Sequence, residues 1–125
     1  MSETIGDIVA AHRSGATTPE QTIRRTFARI RAHGDPAIFI TLRDEEDAVA
    51  EARALAGSGA EGKTLYGVPI AVKDNIDVAG LPTTAACPDF AYTPSESAPV
   101  VERLREAGAI LVGKTNLDQF ATGLV

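Results

Sequence analysis

The sequence predicts an α/β layer fold. Three observations carry that prediction. Segments with apolar residues at helical spacing alternate with short apolar runs of strand length, glycine or proline punctuates nearly every junction, and a composition of 44% apolar and 23% charged residues is that of a globular domain. The predicted order is helix, helix, strand, helix, strand, long loop, helix, strand, helix.

Ile5, Ile8, Val9 and His12 share one helical stripe between Glu3 and Arg13, and Ser14-Gly15 ends it. Thr18-Pro19-Glu20-Gln21 is a capping box with proline at the first helical position. Ile23, Phe27 and Ile30 continue that helix up to Gly34-Asp35-Pro36. The run Ala37 to Leu42 is a predicted strand, and Asp44 to Ala56 a helix with Ala48, Val49, Ala52 and Leu55 inward. Its first turn holds Asp44, Glu45, Glu46 and Asp47, where the helix dipole favours negative charge.

A Gly/Ser loop over 57–63 leads to a predicted buried strand, Val68 to Val72, with Pro69 at its start and Lys73 closing it. Asp74 to Tyr92 carries two Gly/Pro turns and little periodicity, which predicts a long ordered loop with a brief extended piece at Ile76 to Val78. Ser95 or Ser97 is the expected cap of a helix reaching Ala107, with Val100, Val101, Leu104 and Ala107 inward and Pro99 in its first turn. Gly108 stops it, Ala109 to Val112 is a short buried strand, and Thr115 with Asp118 is expected to cap a last helix.

Charge and composition exclude several functions. The formal net charge of −5 and the interleaved signs lack the clustered basic surface that nucleic acid requires. Arg24, Arg25, Arg29 and Arg31 form the one basic cluster, and at helical spacing they are expected to face solvent. A single cysteine permits no intrachain disulfide and no cysteine-built metal site, and neither His12 nor His33 stands near another ligand type at metal spacing, so no metal is expected. Without a leader pattern or an apolar run near ~18 residues, no membrane partner and a cytoplasmic location are expected. A domain of this length hides only about two-thirds of its unfolded surface, so any unpartnered element makes it marginal.

Gly108-Ala109-Ile110-Leu111-Val112-Gly113-Lys114-Thr115 satisfies the letters of a phosphate-binding P-loop. A nucleotide-binding module is therefore a rival of a different class. The motif works only when the residues between its glycines form a loop whose amides curl round phosphate. Here those residues read as a strand and Gly108 follows a helix, so the expected arrangement is a helix stop, a buried strand and a polar turn, with Lys114 solvated or pairing locally.

Lys73 leaves an apolar strand directly before the long loop, which is where α/β folds place their chemistry. A lysine buried there can lose its charge and act as a general base. Equally, it can lay its stem on apolar surface and keep its ammonium in water. Spacing and composition do not separate the two, and taken alone they favour the solvated lysine.

A wider pattern surrounds that lysine. Gly67-Val68-Pro69-Ile70-Ala71-Val72-Lys73-Asp74-Asn75-Ile76 is followed by Gly80-Leu81-Pro82-Thr83-Thr84-Ala85, by Val101 to Gly113, and by Lys114-Thr115-Asn116-Leu117-Asp118-Gln119-Phe120-Ala121. In order and spacing this resembles the opening half of the amidase-signature core. The similarity runs from about Leu65 to Val125, so 1–64 is expected to be a helical lead-in and 65–125 the start of the core, incomplete. Within that family the sequence is most similar to the allophanate hydrolases, on Thr83-Thr84-Ala85-Ala86-Cys87-Pro88-Asp89-Phe90-Ala91-Tyr92 and Asn116 to Val125; its rivals are general amidases and the amidase subunit of glutamyl-tRNA amidotransferase.

The resemblance implies a mixed-sheet core covered by helices and hydrolysis of a C–N amide bond without cofactor. It implies that Lys73 is the base of a Ser-cis-Ser-Lys triad whose two serines lie beyond Val125. Asp74 and Asn75 would orient that base or its loop, and Ala121, Thr122 and Gly123 would approach substrate. Cys87, with no histidine near it in sequence, is expected to be an idle thiol. The partners implied are a small amide substrate such as allophanate, the remainder of an amidase domain and, through apolar edges left open, a second copy of the chain.

Overall fold

The computed structural model describes residues 3–117. Four α-helices and three strands follow in the order α1 (Ile5–Ser14), α2 (Pro19–His33), β1 (Phe39–Leu42), α3 (Glu45–Ser58), β2 (Pro69–Lys73), α4 (Pro99–Glu106) and β3 (Ile110–Thr115), with one 3-10 turn, Pro88–Phe90, between β2 and α4. This is the α/β order expected, with mixed strand directions in one sheet.

Local signals explain the helix ends. Thr18 and Gln21 close a reciprocal capping box at the start of α2, and Gly34 ends it in the left-handed conformation at φ 70°. A second box, Thr4 with Asp7, opens α1. Asp44 caps α3 by accepting from the Asp47 N–H. At α4 the expectation fails: Ala98 occupies the cap position with no side-chain bond. Ser97 instead accepts the Ala79 N–H at 2.9 Å, so its hydroxyl ties down the long loop rather than the helix.

The sheet has the order β1-β3-β2. β3 lies antiparallel to β1 and parallel to β2, and the loop and α4 between β2 and β3 supply the crossover that a parallel pair requires. Both pairings slip by one residue: Ile70 faces Leu111 while Ala71 faces Gly113, which leaves Val112 as an extra residue on β3.

Two apolar clusters cover the two faces. Ile23 and Phe27 of α2 and Ala48, Val49 and Ala52 of α3 pack on Ile110 and Val112. On the opposite face Val72, Val78 and Val101 pack on Leu111. α4 turns Val101 inward and leaves Val100 half exposed, against the expectation that both face inward; on a helix of eight residues, adjacent positions lie about 100° apart. Arg24, Arg25 and Arg31 are on the outer surface, paired with Glu20, Glu3 and Glu45.

The loop after β2 is ordered, as expected, but its extended piece lies elsewhere. Residues 76–78 belong to no strand; Thr83 and Tyr92 form the bridge, exchanging backbone bonds of 2.7 and 3.1 Å. β3 also runs farther than Val112, through Lys114 to Thr115, so Thr115 ends a strand instead of opening a helix. The expected final helix lies outside the described residues. Among the described residues, no helix is long and apolar enough to cross a membrane.

Candidate active site

β2 ends on Lys73, with Val72 buried beneath it and Lys73 itself exposed. Residues that alternate along a strand face opposite sides, so the burial of Val72 and Asp74 directs Lys73 outward. Its ammonium has no hydrogen bond or ion pair among the described residues. Asn75 is likewise exposed. Ala121, Thr122 and Gly123 lie outside the described residues.

The backbone at the strand end is held from both sides. The Asp74 N–H donates to the Thr115 carbonyl at 3.0 Å, and the Ile76 N–H closes a turn onto the Lys73 carbonyl at 3.0 Å. Lys73 is therefore set at the last registered position of the sheet, opposite Thr115.

Asp74 is wholly buried, and so is Lys114. Lys114 Nζ lies 3.1 Å from Asp74 Oδ1 and donates to the Pro82 carbonyl at 3.2 Å. It reaches Thr83 Oγ1 at 3.4 Å, and Thr83 in turn donates its hydroxyl to Asp77 Oδ1 at 2.9 Å. Tyr92 donates to the same Asp77 oxygen at 2.6 Å, an acceptance that raises the phenol above its ordinary pKa. Lys114 is thus neither solvated nor paired locally, as its place after Gly113 suggested; its partner lies far back along the chain, at the end of a different strand.

The other Asp74 oxygen holds the loop. Oδ2 accepts both the Thr84 N–H, at 3.1 Å, and the Thr84 hydroxyl. The Ala85 N–H donates to the Asp74 carbonyl at 3.1 Å and the Ala86 N–H to Thr84 Oγ1 at 3.1 Å. Between these bonds Ala85 and Ala86 adopt left-handed backbone angles, φ 50° and 62°. Each costs an L-residue about 1–2 kcal/mol, so this turn persists because its surroundings over-determine it. Thr84 and Ala86, with Ile40, Pro88, Ala91 and Asn116, line an open hollow of about 330 Å³ between this loop and β1. Cys87 is half-buried in the same turn.

Residues 108–115 do not form a phosphate cradle. Gly108 follows α4 at φ 99°, the Ile110 N–H donates to the Val68 carbonyl, and 110–115 are committed to the sheet. The Lys114-Asp74 pair is the feature that sequence reasoning missed. The only signal for it in the sequence is that an acidic and a basic residue each stand two positions past a predicted strand, Asp74 after Val72 and Lys114 after Val112.

Comparison with protein-family models matches residues 21–125 to the family described as Amidase. The chain belongs to that family. A urea amidolyase of Saccharomyces cerevisiae is 84% identical over 61 residues, 49% of this amidase chain and 3% of the relative. A glutamyl-tRNA(Gln) amidotransferase subunit from Oleidesulfovibrio alaskensis is 38% identical over 125 residues, 98% of this chain and 26% of that one. A solved allophanate hydrolase of Kluyveromyces lactis, a serine-to-alanine variant, superposes with a TM-score of 0.81 at 45% identity, covering 99% of this amidase chain and 20% of that protein. The amidase chain therefore spans about a quarter or less of the length of these relatives. Its mixed sheet, with helices on both faces, is the fold that the amidase-signature resemblance implied.

Proposed function

We propose that this chain is the amino-terminal part of a cytoplasmic amidase that hydrolyses allophanate, with Lys73 as the base of a Ser-cis-Ser-Lys triad completed by two serines outside this sequence. The observation that carries the reading is the position of Lys73. It is exposed and unpaired among the described residues, yet its backbone is fixed at the end of a registered strand. Identity to an allophanate hydrolase over nearly the whole chain, higher than that to the amidotransferase subunit, supports the substrate.

In this reading the rest of the protein covers Lys73 and removes it from water, which disfavours the ammonium. The neutral amine accepts a proton from the bridging serine, which accepts one from the nucleophilic serine. That oxygen adds to the amide carbonyl, the C–N bond breaks, and the nitrogen leaves as ammonia with a returned proton. Water then hydrolyses the acyl ester and regenerates the serine. Asp74 and Asn75 hold the base and its loop, and Ala121, Thr122 and Gly123 line the substrate's approach. No cofactor enters.

Ammonia release from allophanate tests this. The 125-residue chain alone is expected to release none, and the protein extended through its downstream sequence is expected to be active. Lys73→Ala in the extended protein should lower kcat by about 10² to 10⁴, the worth of a positioned base. Undiminished turnover in that variant rejects the reading, and turnover of a glutaminyl substrate in preference to allophanate favours the amidotransferase role.

A further inference from the structure

We propose that Asp74 is a positioning residue of the reaction, a strut that locks the strand end carrying Lys73 to the strained turn at Ala85-Ala86, with buried Lys114 as its counter-charge. The inference rests on Lys73 being the base. It goes further by naming the bonds through which Asp74 acts and by giving buried Lys114, which general acid-base chemistry leaves unused, a part in them.

The geometry is specific. Asp74 follows Lys73 directly, and its main chain binds β3 through Thr115 while its carbonyl accepts from Ala85. One carboxylate oxygen faces Lys114 and the other accepts twice from Thr84. A residue that only filled space would not need a charge with no exposed surface, and a hydrophobic pair would pack there without desolvating two ions. A carboxylate, by contrast, is an acceptor in several directions at once, so one side chain joins β2, β3 and the loop.

Charge-assisted bonds are also the stiffer ones, and they oppose relaxation of the left-handed alanines. Relaxation of that turn would free Asp74 to rotate, and the Lys73 backbone with it. The strut therefore acts on the placement of the base and not on affinity for substrate.

The test uses the extended, active protein. Lys73→Ala is measured first; if it retains kcat, Lys73 is not the base and the present proposal falls with that reading. If it loses kcat, Asp74→Asn combined with Lys114→Met removes both charges together and leaves no lone ion. The expected result is a folded protein whose kcat is lower by about 10², the cost of a misplacement near 1 Å, with KM within about twofold. A double variant with parental kcat overturns the strut while leaving Lys73 as the base. Should the double variant fail to fold, Thr84 decides. Thr84→Val removes one donor to Asp74 and is expected to lower kcat severalfold, while Thr84→Ser keeps the hydroxyl and restores it; equal activity of the two rejects the proposal.

Discussion

Lys114 Nζ lies 3.1 Å from Asp74 Oδ1, and neither side chain exposes any surface. The pair sits between the parallel strands β2 and β3 and a loop; Asp74 Oδ2 and Lys114 Nζ each have a further polar partner, whereas Oδ1 faces Lys114 without accepting a hydrogen bond among the described residues.

That arrangement predicts an asymmetric response to mutation. Lys114→Met alone leaves the Asp74 carboxylate buried without its counter-charge and should destabilise the chain by about 3–5 kcal/mol, whereas adding Asp74→Asn should recover most of the loss. Urea unfolding of the parent, the single and the double variant measures both. A single variant within about 1 kcal/mol of the parent would show that the pair contributes nothing to stability.

Glu20 predicts a pH dependence. Hydrogen bonds from Arg53 and then Arg24 lower its carboxyl from 4.5 to about 2. A depressed folded-state pKa contributes stability that is present above the unfolded value and lost as pH falls toward the folded one, here between 4.5 and about 2. Glu20→Gln should flatten the stability profile in that window and leave its shape unchanged above it, with an effect that shrinks in salt because the pair faces solvent. Thermal unfolding of both proteins, from about pH 2 to about pH 6, gives the comparison; parallel profiles contradict it.

Gly67 predicts a steric effect. At φ 77° an added Cβ would stand 2.5 Å from His12 Nδ1 and 2.9 Å from Pro19 Cγ. The His12 ring is fixed between the Tyr66 carbonyl, to which its Nδ1–H donates at 2.8 Å, and the Thr22 hydroxyl at 2.6 Å, so it cannot retreat without breaking both bonds. Gly67→Ala should cost about 2–4 kcal/mol, from overpacking and from the left-handed backbone together. Gly62→Ala shares the positive φ, 75°, but meets open space, and should cost only about 1–2 kcal/mol. Equal losses in the two variants, by denaturant midpoint, would remove the steric explanation.

Much of this fold was legible because its signals are local. Thr18 and Gln21 name the start of α2 within a single turn, and the spacing of Ile23 and Phe27 names its buried stripe. The strand at Lys73 could be read from its apolar run and the turn residues around it. Less legible were features in which two local rules compete. Ser97 is a good helix cap by type, but the backbone of Ala79 claims its hydroxyl. Lys114 follows a glycine that reads as a turn, yet hydrogen bonds to β1 and β2 carry the strand through it.

Element order, family and candidate base all follow from the order of residues, since periodicity, caps and a motif of fixed spacing are properties of neighbours along the chain. The face that Lys114 takes does not; it depends on how the strands pair in space. Strict alternation along β3 would put it on the side of Ile110 and Val112, against α2 and α3. The extra residue at Val112 reverses the phase, so Lys114 joins the side of Leu111 and Val72 and meets Asp74. A bulge exists only between two paired strands, so no single strand could announce it.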